Sequence, residues 1–88
     1  MKQSEIINKI LAGELLEFSC QGENYLIQQE NNKGWDYISV WRISDRPVCL
    51  ARTLFDLFDG LGEEDVLDLI NQKCIFGRST AEILEEIP

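Results

Sequence analysis

The spacing of apolar residues along this chain changes period twice. At the start, Ile6, Ile7, Ile10 and Leu11 recur at helical spacing. This predicts a one-sided helix over residues 4–12, with Ser4 as its N-cap and Gly13 closing it. From residue 14 the pattern alternates. Leu16, Phe18 and Cys20 are separated by Glu17 and Ser19, the mark of a half-buried strand. Gln21-Gly22-Glu23-Asn24 is turn chemistry, and Tyr25–Glu30 reads as the returning strand of a hairpin. Asn31-Asn32-Lys33-Gly34 is a second turn, because asparagine and glycine tolerate positive φ.

Residues 35–43 (WDYISVWRI) carry the strongest strand signal. One face holds Trp35, Tyr37, Ser39, Trp41 and Ile43, and the other holds Asp36, Ile38, Val40 and Arg42. Both faces are apolar at the middle, which predicts a central strand or one whose second face a helix covers. Ser44-Asp45-Arg46-Pro47 is a third turn, and residues 48–53 supply a fourth strand. Three short connections in succession imply an antiparallel meander.

Helical spacing returns after Thr53. Leu54, Phe55, Leu57, Phe58 and Leu61 predict a short helix with Thr53 as N-cap and Asp56 and Asp59 outward, broken by Gly60 and Gly62. A second helix is predicted over residues 63–72. Glu63, Glu64 and Asp65 lie in its first turn, where the helix dipole favours anions. Cys74–Phe76 reads as a short extended piece and Gly77 as a turn. Ser79-Thr80-Ala81-Glu82 has the form of a capping box, so a last helix begins near Thr80. The expected fold is α+β in one domain over residues 1–88. An antiparallel sheet of three or four strands is covered by the N-terminal helix and two or three C-terminal helices.

Charge adds what periodicity does not show. Residues 54–88 hold nine acids against two bases, Lys73 and Arg78, and so account for −7 of a net charge of −8. The first 53 residues are close to neutral. Such a field repels phosphate and attracts basic surfaces, so double-stranded DNA is not an expected partner. No apolar run reaches the ~18 residues of a membrane span or forms a signal-peptide core, and no membrane association is expected. Cys20, Cys49 and Cys74 are odd in number and widely spaced, which suits reduced thiols in the cytoplasm.

The chain has no histidine, which removes Ser-His-Asp and Cys-His catalysis and the commonest zinc ligand. A calcium loop fails on register: placing Gly60 at the loop's glycine puts Leu57 and Phe55 where carboxylates are required. Gly60-Leu61-Gly62 lacks the lysine and third glycine of a phosphate loop, and three acids follow it. No catalytic residue, metal site or cofactor is expected. Glu63, Glu64, Asp65 and Asp68 are the only dense supply of carboxylates. A small carboxylate-dependent enzyme or cation-binding protein is the alternative they leave open.

Two groups of residues remain as candidates for partner binding. Trp35, Tyr37 and Trp41 share one face of a strand, with Lys33, Arg42, Arg46 and Arg52 near in sequence. They form either core, a protein hot spot or a stacking platform for single-stranded RNA. Asp56, Asp59, Glu63, Glu64, Asp65 and Asp68 form either a solvated surface or a site for a basic protein. The sharpest form of the second idea is an immunity-, antitoxin- or nuclease-blocking role, in which carboxylates stand in for nucleic-acid phosphates. Homodimerisation through a free sheet edge is a further option.

Ile75-Phe76-Gly77-Arg78-Ser79-Thr80-Ala81-Glu82-Ile83, following Leu54-Phe55-Asp56-Leu57-Phe58, resembles the ending of small uncharacterised proteins of Gram-positive bacteria. The shared arrangement is an acidic helix, a short strand, a glycine and a capped last helix with Glu-Ile. The resemblance implies a bacterial cytosolic accessory protein and carries no catalytic residue across. The leading expectation is therefore a non-enzymatic binding protein with a basic partner.

Overall fold

A computed structural model of the chain describes residues 1–56 and 58–87. Helix α1 (Gln3–Leu11) leads into four strands, β1 (Leu16–Cys20), β2 (Glu23–Asn32), β3 (Trp35–Ile43) and β4 (Val48–Phe55), followed by α2 (Glu63–Ile70) and α3 (Thr80–Glu85). The strands form one antiparallel sheet in the order β1-β2-β3-β4. The α+β meander expected from the sequence is thus observed, with four strands and two C-terminal helices.

The turns follow from local chemistry. β1 and β2 are joined through Gln21-Gly22, and β2 and β3 through Lys33-Gly34. All four residues have positive φ, at 52° and 81° in the first turn and 56° and 84° in the second. Two successive positive φ values twist a two-residue hairpin in the sense of its strands, and the glycine adopts the second without a Cβ clash. Phe76-Gly77, at 50° and 74°, repeats the device between Ile75 and Arg78, which form an isolated bridge.

One face of the sheet carries the core. Leu16 and Phe18 (β1), Tyr25 and Ile27 (β2), Ile38 and Val40 (β3) and Ala51 (β4) meet Ile6, Ile7 and Ile10 of α1, Val66, Leu69 and Ile70 of α2, and Ala81, Ile83 and Leu84 of α3. The Phe18 and Tyr25 rings stack with centroids 5.2 Å apart. Each fully buried aliphatic side chain here, Ile27 and Ile38 among them, contributes about 1.5–3 kcal/mol by removal from water. Polar links register the helices on this face. Gln29 Nε2 donates to the Ile10 carbonyl at 3.1 Å, and Thr53 Oγ1 donates to Asp68 Oδ2 at 3.1 Å.

Three local expectations are corrected. The N-cap of α1 is Lys2, not Ser4, which lies inside the helix; no side chain caps this end. The helix expected after Thr53 is not formed. Thr53, Leu54 and Phe55 instead complete β4, with Thr53 opposite Ile38 and Phe55 opposite Asp36, and a turn follows. Ladder hydrogen bonds to β3 outweigh a helical signal too short to nucleate a helix on its own. Leu57, assigned to that helix, lies outside the described residues. Finally, the extended piece expected over Cys74–Phe76 is cut short: Ile75 bridges to Arg78, and Phe76 already turns, with φ at 50°. The capping box at the last helix is present as expected. Ser79 Oγ accepts from Glu82 N at 3.2 Å, and Ser79 N donates to Glu82 Oε1 at 3.3 Å.

Candidate functional site

The sheet face opposite the helices carries the aromatic strand. Its rows run across β2, β3 and β4: Leu26–Trp41–Cys49, Gln28–Ser39–Arg52 and Glu30–Tyr37–Leu54. No described helix packs over it, yet Ser39 is fully buried and Tyr37 is only 5% exposed. Their neighbours cover them. The Arg52 guanidinium lies 4.4 Å from the centre of the Tyr37 ring, a cation–π contact across the β3–β4 pair. The Glu30 carboxylate accepts from Ser39 Oγ and, at 2.9 Å, from Trp41 Nε1. The expectation that β3 is buried on both faces therefore holds at its middle, although side chains rather than a helix provide the second cover.

This arrangement separates the three aromatics. Tyr37 lies beneath Arg52, and Trp41 is half-buried with its N–H engaged internally. Trp35, at the start of β3, is 66% exposed. Beside it are Leu54 at 55% and Phe58 at 97% exposure. These three side chains, with Gly34, Asp36, Phe55 and Asp56, line a surface depression of about 540 Å³. Leu54 and Phe58 were expected to be the buried side of a helix. The exposure of Leu54 follows from the extension of β4, since residues 52 and 54 alternate onto the open face, and Phe58 lies in the turn beyond the strand. Arg52-Thr53-Leu54-Phe55 does not alternate polar with apolar residues, so pairing with β3 rather than a local signal places this segment in the sheet.

The acidic residues divide into two groups. Asp56 Oδ1 accepts from Phe58 N at 2.8 Å and shapes the turn after β4. Asp65 Oδ2 accepts from Gly62 N at 3.0 Å at the start of α2, and Asp68 takes the Thr53 hydroxyl. Asp59, Glu63 and Glu64 are exposed, and their side chains make no hydrogen bond or ion pair among the described residues. The two C-terminal bases do not offset them. Lys73 faces Glu82 at 3.9 Å and Arg78 pairs with Glu86, so both serve acids at α3. The first turn of α2 is acidic and its last turn holds no base.

The two candidate groups meet where β4 ends, with Trp35 and Asp56 lining the same depression. A second depression, of about 580 Å³, lies between Asp59, Glu63, Glu64 and Asp65. Its acids come from one continuous segment rather than converging from separate elements. Among the described residues, no three Asp, Glu or Cys side chains gather closely enough to hold a metal ion. Cys20, Cys49 and Cys74 are free and half-buried. Burial raises the Cys74 thiol above its usual value, so that side chain is held as the neutral thiol near pH 7. No described helix is long and apolar enough to cross a membrane.

Comparison with protein-family models, curated proteins and solved structures returns no match. The surface itself therefore carries the functional argument.

Proposed function

We propose that this chain is a small binding module that engages a basic protein through the surface at the end of β4 and the start of α2. The observation that carries this reading is the adjacency of exposed Trp35, Leu54 and Phe58 to carboxylates that make no ion pair among the described residues. Apolar anchors of this kind contribute affinity when buried, and tryptophan is prominent among interface hot spots. Asp59, Glu63 and Glu64 contribute steering, because unpaired surface charge raises the association rate with an oppositely charged partner.

Within the aromatic strand, Trp35 is the anchor. Tyr37 and Trp41 act as its support, because their polar and π contacts are already satisfied within the sheet. The same feature weighs against a single-stranded RNA platform, which needs several exposed rings in a basic setting. A nucleic-acid-binding protein or nuclease, a toxin among them, presents the basic chemistry that suits this surface. The chain would then act as a cytoplasmic bacterial accessory protein of the immunity or antitoxin kind.

The test is affinity capture from a bacterial lysate at low salt, followed by reconstitution with the purified retained protein. The reading requires that protein to be basic, its affinity to fall steeply as salt rises, and Trp35→Ala to weaken it. A complex indifferent to salt, or no basic protein retained, removes the main support.

A further inference from the structure

We infer that the partner docks by adding an extended strand to the outer edge of β4 at Arg52–Phe55, and that this strand alternates apolar with basic side chains. The inference rests on the binding reading above and specifies its mode. β4 ends the sheet, and among the described residues the main chain of Arg52–Phe55 makes no hydrogen bond beyond its β3 ladder. A free strand edge is a template for a further strand.

The other edges are blunted. β1 is short, at five residues, and carries Glu17. The first half of β4 follows Pro47 and contains a register shift opposite Val40/Trp41, where Leu50 is the extra residue; such a bulge turns an edge away from pairing. Arg52–Phe55 has no proline and no bulge, and its one charged side chain, Arg52, is drawn over the Tyr37 ring.

The two sides of this edge differ in chemistry. Toward the open face are Leu54 and, beside it, Trp35, both exposed, together with Arg52, whose guanidinium lies over the Tyr37 ring. Toward the helices, Thr53 is bonded to Asp68, and Glu64 lies one turn earlier on the same face of α2. Successive side chains of an added strand point to opposite faces. One set would therefore meet leucine, tryptophan and the stem of Arg52, and the other would meet carboxylates. A second copy of this chain fits less well. Two-fold edge pairing would bring two α2 helices together, each with Glu63, Glu64, Asp65 and Asp68 and no basic residue. Charge complementarity thus selects a foreign basic strand.

The test uses the full chain, isotope-labelled, and a short blocked peptide of alternating lysine and valine. A second peptide has the same side chains but every backbone amide N-methylated. The expected result is binding of the first peptide with slowed amide exchange within Arg52–Phe55, and binding of the second weaker by on the order of ten-fold or more. Equal binding of both, with shifts confined to residues 59–68, overturns strand addition but leaves the basic-partner reading standing. Protection of Arg52–Phe55 without peptide, together with a dimer in sedimentation, overturns it in favour of a second copy. Failure of both peptides, with no basic protein captured either, removes the binding reading itself.

Discussion

The Thr53 hydroxyl donates to the Asp68 carboxylate at 3.1 Å and ties the edge strand of the sheet to the acidic helix. Thr53 is 9% exposed, so its hydroxyl has little access to water as a substitute. Thr53→Val keeps the shape and β-branching but removes the donor. It should destabilise the protein by about 1–2 kcal/mol, read as a lower urea midpoint at unchanged slope.

Thr80 gives the opposite expectation. It is fully buried, and its Oγ1 has no hydrogen-bond partner among the described residues. A buried hydroxyl without a partner opposes folding. Thr80→Val should therefore raise the urea midpoint, by about 1 kcal/mol in stability. The two threonine variants together separate burial from hydrogen bonding, because the chemical change is the same in each.

The Glu30 network should report through fluorescence as well as stability. Glu30 accepts from Ser39 and Trp41, and Ser39 is fully buried. Glu30→Leu strands the buried Ser39 hydroxyl and leaves Trp41 Nε1 only its 2.9 Å bond to Ser39 Oγ, and should cost about 1–3 kcal/mol. In a Trp35→Phe background, the remaining emission comes from Trp41 alone. Acrylamide should quench that emission weakly, and more strongly once Glu30 is replaced. In a Trp41→Phe background, the exposed Trp35 should be readily quenched throughout.

Alkaline pH should weaken the fold. Burial raises the Cys74 thiol, and burial, followed by the charges of Cys20 and Glu23, raises the Tyr25 phenol. Both groups are neutral in the folded protein at a pH where the unfolded chain begins to ionise them. Their stabilising contribution is full below the ordinary values of 9.0 and 10.0 and is lost as pH rises through the higher folded values. Urea midpoints measured from neutral pH upward should fall through that range. Cys74→Ser and Tyr25→Phe should each flatten the decline.

Much of the fold was legible from the chain. Alternation in β1 and β3, Gly22 and Gly34 in the hairpin turns, and the Ser79/Glu82 capping box are local signals that survive packing. The misread segment was Thr53–Phe58, where apolar residues fit both periods over a short span. Pairing with β3, a contact remote in sequence, decided it. The candidate site was legible only in part. Its charge could be counted, but the closeness of Trp35 to Asp56 and Phe58 depends on that same strand extension. The engagement of Asp56, Asp65 and Asp68 in structural bonds required main-chain geometry that composition does not carry.

The central claim is that the end of β4 and the start of α2 form the face that meets a basic partner. Amide hydrogen exchange of the complex with the captured basic protein tests it most directly. The account predicts protection at Trp35, Arg52–Phe55 and residues 58–68, lost on Trp35→Ala and reduced at high salt. Protection confined to α1, β1 or α3, with residues 58–68 exchanging as in the free protein, would contradict it.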